Sequence, residues 1–169
     1  MQIEAYHGHK DIIEQLLERG TDVNAQGGEY GNAMQAALFV GNRDIVELLL
    51  EHGANVNAQG GHYGNALQAA SFHGYKNIVE LLLQKGADVN AQGGHYGNAL
   101  QAASFVGNRD IVELLLEHGA NVNAQGGYYE NASCSVQSES EQKKGTEESI
   151  RDEGGEETEE KSPKQKDNA

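Results

Sequence analysis

The chain has 169 residues, a formal net charge of −14, one cysteine and no tryptophan. Residues 1–132 carry 15 Asp/Glu against 6 Lys/Arg and residues 133–169 carry 11 against 6, so neither part offers the basic surface that nucleic acid requires. No apolar run approaches the roughly 18 residues of a membrane span, the start MQIEAYHGHK lacks a signal-peptide core, and the lone Cys134 excludes an internal disulfide and a cysteine-rich metal site.

The first element falls in mid-repeat. Gly8 lies 33 residues before Gly41, which puts Met1 in register with Met34, Leu67 and Leu100. Glu4 stands where later units have Ala37, Ala70 and Ala103. Those alanines mark an expected close helix contact, where a carboxylate is costly. Residues 1–7 therefore read as a frayed or solvent-facing terminal helix, with a fragment of a longer array as the alternative.

Three nearly identical stretches follow, 27–59, 60–92 and 93–125. The first and third differ only at Glu29/His95, Met34/Leu100 and Leu38/Ser104. A fixed period of this length specifies a stacked array rather than one globular core. In the middle copy, Asn65-Ala66-Leu67-Gln68 has the form of a capping box. A short alanine-rich helix over 66–73 follows, ended by Gly74. A second helix runs from about Lys76 to Lys85 with Ile78, Val79, Leu81, Leu82 and Leu83 as its apolar face. Asn77 (Asp44 and Asp110 in the sister units) suits the positive end of the helix dipole. Gly86 ends the helix, and ADVNAQGG leads out through an extended, hairpin-like turn. Helices this short hold only when each unit buries the apolar face of the next.

The pattern N-A-L-Q-A-A-S-x-x-G followed by I-V-x-L-L-L-x-x-G-A-x-V-N-A resembles the ankyrin repeat from Met1 to about Asn131. The resemblance implies an all-α solenoid of ankyrin-type helix-turn-helix repeats with hairpin loops. The expected parts are a partial repeat (1–26), three repeats (27–59, 60–92, 93–125), a degenerate hairpin (126–135) and a disordered acidic tail (136–169). Ankyrin repeats usually read T-P-L-H where this chain has Asn65-Ala66-Leu67-Gln68; Asn and Gln would then replace the links that Thr and His make between units. The variant G-G-x-Y-G-N-A-L-Q-A-A-S resembles fungal arrays, many of them the sensor end of NACHT-type, NOD-like receptors.

The array fails after Gln125, where Ser133-Cys134-Ser135 replaces the expected Leu-Gln-Ala. The segment QSESEQKKGTEESIRDEGGEETEEKSPKQKDNA holds one Ile and no aromatic residue, too little apolar surface to offset its ordering entropy. It reads as a solvated acidic extension or as a regulatory one, with Ser138, Ser149 and Ser162 as phosphorylation candidates.

No catalytic constellation stands out, so the chain reads as non-enzymatic, with no cofactor and no metal. His7 and His9 lack a third ligand nearby. His52 and His118 fall at the end of second helices, where a capping or dipole role is expected.

What remains is surface. The resemblance implies a protein partner docked on a concave side built from hairpin tips and the exposed positions of first helices. By register the tips are Glu29-Tyr30, His62-Tyr63, His95-Tyr96 and Tyr128, and the helix positions are Phe39-Val40, Phe72-His73 and Phe105-Val106. The Tyr and Phe ladders read either as an aromatic docking strip or as rings that make the units stack. Positions that vary between copies, Glu29/His62/His95/Tyr128 and Val40/His73/Val106, are the better recognition candidates. Their histidines predict binding that changes between about pH 6 and 7. The expected protein is a monomeric, intracellular, cytoplasmic interaction module, with a nuclear site as the alternative. The alternative is the recognition segment of a larger fungal NACHT-type signalling protein.

Overall fold

The computed structural model describes residues 1–127, so Tyr128, the rest of the degenerate hairpin, Cys134 and the acidic tail lie outside the described residues. Helix pairs recur at the sequence period: α1 (Gln2–His7) with α2 (Lys10–Glu18), α3 (Ala33–Phe39) with α4 (Arg43–Glu51), α5 (Ala66–His73) with α6 (Lys76–Gln84), and α7 (Ala99–Phe105) with α8 (Arg109–Glu117). Helices α1, α3, α5 and α7 pack side by side in one row, and α2, α4, α6 and α8 form the second. The described residues are all-α, with the loops adding only isolated antiparallel bridges.

The first helices start where the sequence provides an acceptor. Asn32, Asn65 and Asn98 are extended, and their Oδ1 atoms accept from the N–H of Gln35, Gln68 and Gln101 at 2.9, 2.9 and 2.8 Å. The reciprocal half of the capping box forms at Gln68, whose Oε1 accepts from the Asn65 N–H at 3.0 Å. The Oε1 atoms of Gln35 and Gln101 are buried without a partner. Between the rows, Ile45, Val46 and Leu49, then Ile78, Val79 and Leu82, then Ile111 and Leu115 are almost fully buried with the small Ala36, Ala69 and Ala102. Each such aliphatic side chain contributes about 1.5–3 kcal/mol, and the alanines let the first helices approach closely.

Two ladders of side-chain hydrogen bonds stitch the units together. In the first, Gln35 Nε2 donates to Gly60 O at 2.8 Å, Gln68 Nε2 to Gly93 O at 3.1 Å and Gly97 O at 2.9 Å, and Gln101 Nε2 to Gly126 O at 3.0 Å. Here the glutamines supply the inter-unit links expected at the place of the family's usual T-P-L-H. In the second, Asn24, Asn57 and Asn90 donate to the carbonyls of Gly53, Gly86 and Gly119, each at 3.1 Å. The same asparagines accept from the N–H of Asn55, Asp88 and Asn121. The turn glycines permit this contact: Gly64 has φ +93°, and a Cβ there would meet Gly93 C and Gly94 N of the next hairpin at 2.7 Å, as well as the Gln68 side chain.

Residues 1–7 are not frayed. Helix α1 is formed, packs on α3 and buries Ala5 completely. Gln2 Nε2 begins the first ladder by donating to Gly27 O at 2.8 Å. Glu4 keeps its charge out of the core by turning to the helix end, where its Oε2 lies 2.7 Å from His9 Nδ1.

Candidate functional site

Each unit places one tyrosine just before the cap of its first helix and one phenylalanine in the last turn of that helix. One rise of a short helix separates them, so both rings reach the same face. Tyr30 lies 5.3 Å from Phe39, Tyr63 5.3 Å from Phe72, and Tyr96 5.3 Å from Phe105, between ring centroids. Contacts across units join these pairs. Phe72 stacks on Tyr96 at 4.7 Å, Phe39 meets the edge of His73 at 5.5 Å, and Tyr6 stacks on Tyr30 at 5.3 Å. The result is an unbroken aromatic strip from Tyr6 to Phe105. Offset and tilted pairs of this kind add about 0.5–1.5 kcal/mol each beyond area burial.

The rings are not equally available. Phe39 is 39% exposed, with Val40 at 41% and Val106 at 37% beside the strip. Tyr30, Tyr63, Phe72 and Phe105 are half-buried, whereas Tyr96 is buried at 8% and supports the strip from beneath. At the variable tip position Glu29 is exposed, and His62 and His95 stack on each other at 5.5 Å, 17° from parallel. The His95 N–H donates to His62 O at 3.2 Å.

His73 differs from its sisters Val40 and Val106. Its ring touches Phe39, Tyr63, Phe72 and Tyr75, and its Nε2 is buried without a hydrogen-bond partner. Burial holds this imidazole below its usual pKa of 6.5. The expectation that the variable histidines respond between about pH 6 and 7 is therefore corrected for His73, which takes up its proton at lower pH because a charge there loses solvation. Burial also raises the Tyr30 hydroxyl, helped by Tyr6 and the charge of Glu29, and burial raises Tyr63, helped by Tyr75. Both hydroxyls stay protonated at neutral pH.

Between the first two hairpins lies a cleft of about 410 Å³, lined by Glu29, Tyr30, Gln35, Phe39, Gly60, His62 and Tyr63. Six of these seven belong to the hairpins and the strip; Gln35 enters from the ladder and carries the unpartnered Oε1. Sequence reasoning gave Gln35 only a capping and linking role. Tyr75, which differs from the third unit as His73 does and is expected on or beside the docking face, stacks on His73 at 5.6 Å, and a Cβ on Gly41 would lie 2.6 Å from its ring.

The other histidines are engaged in structure. His9 pairs with Glu4, and its ring stacks 5.7 Å from His7. His52 and His118 Nδ1 lie 2.9 Å from the carbonyl oxygens of Leu48 and Leu114, closing the last turns of α4 and α8. Among the described residues no three His, Cys, Asp or Glu side chains gather in a way that could hold a metal ion. None of the described helices is long and apolar enough to cross a membrane.

The family model described as ankyrin repeats (3 copies) matches residues 1–93 and 65–126. No curated protein matches the chain.

Proposed function

The chain belongs to the ankyrin repeat family, whose arrays are generally protein–protein interaction modules and typically not enzymes, and on that premise we propose that it docks a protein partner along the strip from Tyr6 to Phe105. The observation that carries this reading is the exposure of Phe39, Val40 and Val106 beside rings already fixed by their neighbours. A preorganised aromatic surface loses little entropy when it is covered, which is why such residues dominate binding hot spots. The variable positions Glu29, His62, His95 and His73 border the strip and give it a texture that differs from unit to unit; Tyr128 belongs to the same register series.

Immobilised wild-type chain and the variant Phe39→Ala/Val40→Asp/Val106→Asp are each exposed to cell extract, and bound proteins are compared by mass spectrometry. All three side chains are more than a third exposed, so the variant keeps its circular dichroism and its melting temperature within a few degrees. The proteins retained by the wild type are lost. An unchanged set of bound proteins on a folded variant refutes the strip as the docking face.

An uncovered face favours one part of a second reading, that the chain is a recognition segment within a longer array; the NACHT-type receptor itself rests on the sequence resemblance alone. Ile3 and Ile12 are 70% and 44% exposed, whereas their register equivalents Ala36 and Ile45 are covered by the preceding unit to 0%. A further repeat of the same kind is the natural occupant. The second reading fails if appending residues 27–66 before Met1, one full unit plus the hairpin and cap that bring Met1 into register with Leu67, leaves the stability of the array unchanged.

A further inference from the structure

We propose that the cleft between the first two hairpins is a subsite for an arginine side chain of the protein partner. This rests on the reading of the strip as a docking face and names what one part of it recognises. Tyr30 and Phe39 stand 5.3 Å apart with their planes 59° from each other, and Tyr63 supplies a third ring to the lining. The cleft's carboxylate is that of Glu29; the His62 ring also lines it, with no Lys or Arg. Gln35 also lines it, 6% exposed, with its Oε1 buried against Gly31.

These features select one chemistry. An apolar side chain would desolvate the Glu29 carboxylate. An anion would meet Glu29 in a chain of net charge −14. A guanidinium answers both the rings and the charge: its flat face lies on aromatic rings and its charge faces Glu29. An ammonium is a point charge with a tighter hydration shell and no flat face.

The subsite is particular to this pair of hairpins. In the next pair a histidine, His62, replaces Glu29, and Tyr96 is buried at 8% where Tyr63 is half-buried, its ring packed 4.7 Å from Phe72.

The test is an NMR titration of the full chain with N-acetyl-arginine methylamide, using the lysine and citrulline analogues as controls. Citrulline keeps the shape of arginine and lacks its charge. The arginine probe produces saturable shifts in the ring signals of Tyr30, Phe39 and Tyr63, several-fold tighter than lysine, while citrulline leaves them unmoved. The exposed Glu29→Gln change weakens the arginine response roughly twofold to fivefold. Equal responses to citrulline or lysine overturn the assignment, as do arginine shifts no larger at these rings than at Tyr96 and Phe105, or a Glu29→Gln response equal to wild type. Any of those results removes the arginine subsite and leaves the docking strip standing, because the strip is tested by capture on Phe39, Val40 and Val106 variants.

Discussion

Replacing Gln68 with leucine tests whether the glutamine ladder holds the stack. Gln68 is 0% exposed. Its Oε1 accepts from the Asn65 N–H at 3.0 Å, and its Nε2 donates to Gly93 O at 3.1 Å and Gly97 O at 2.9 Å. Gly97 O keeps a second bond, from the Gly93 N–H at 2.8 Å. The change therefore removes the side-chain partner of three backbone groups, the buried Asn65 N–H and the part-buried Gly93 O and Ala91 O, the last accepting from Nε2 at 3.3 Å. At about 1–3 kcal/mol for each unmade buried bond, with partial relief from the apolar side chain, the loss is about 2–4 kcal/mol. That lowers the melting temperature by about 10 °C for an array of this size. Gln101→Leu removes one bond, to Gly126 O at 3.0 Å, and costs about 1 kcal/mol. Urea unfolding followed by circular dichroism gives both values. Amide exchange adds location: the hairpin at 93–97 loses protection first in the Gln68 variant. A Gln68→Leu loss under about 0.5 kcal/mol, or a Gln101→Leu loss as large, refutes the reasoning, since either result means these bonds are no better than those to water.

Two further outcomes follow from the described packing. Gly64→Ala destabilises by several kcal/mol, roughly the sum of a strained positive φ and a displaced neighbouring hairpin, because its Cβ would lie 2.7 Å from Gly93 C; Gly53→Ala, with open space around it, costs far less in the same urea experiment. His73→Val, the residue of the sister units, removes part of the pH dependence of stability. With the folded pKa lowered below 6.5, the unfolded chain binds the proton first. The neutral-state stability is complete above the unfolded pKa and declines as pH falls from there through the folded value. Urea midpoints between about pH 7.5 and 5 thus fall more steeply for wild type than for His73→Val, and parallel curves exclude His73 as the cause.

Most of the fold was legible because the signals are local and occur in triplicate. Asn65, Gln68, Gly74 and Gly86 mark the helix ends by their own chemistry, and the 33-residue period supplies the stacking. The ring strip followed from register alone, since Tyr63 and Phe72 recur at fixed offsets. What register cannot show is how equivalent residues come to differ. Tyr30, Tyr63 and Tyr96 read alike, yet only Tyr96 is buried, which depends on how closely neighbouring hairpins and rings approach. The Asn24, Asn57 and Asn90 ladder was visible as recurrence but not as a set of bonds, because each partner lies about one unit away in sequence. Glu4 looked like a misfit for an alanine position; its partner His9 is five residues on, past a turn that redirects the side chain.

Both ladders point the same way. Gln2, Gln35, Gln68 and Gln101 reach from one unit to the hairpin after it, and Asn24, Asn57 and Asn90 do likewise. The stack therefore has a direction, like a zip whose teeth all sit on one tape. A cut after any unit leaves amide side chains facing water and partly uncovers apolar ones, as at Val112 and Leu114, whose equivalents Val46 and Leu48 are buried. A cut before any unit leaves glycine carbonyls and an isoleucine such as Ile45 bare. The two ends of such an array are therefore unlike in their hydrogen-bonding groups, side-chain amides at one and backbone carbonyls and N–H groups at the other.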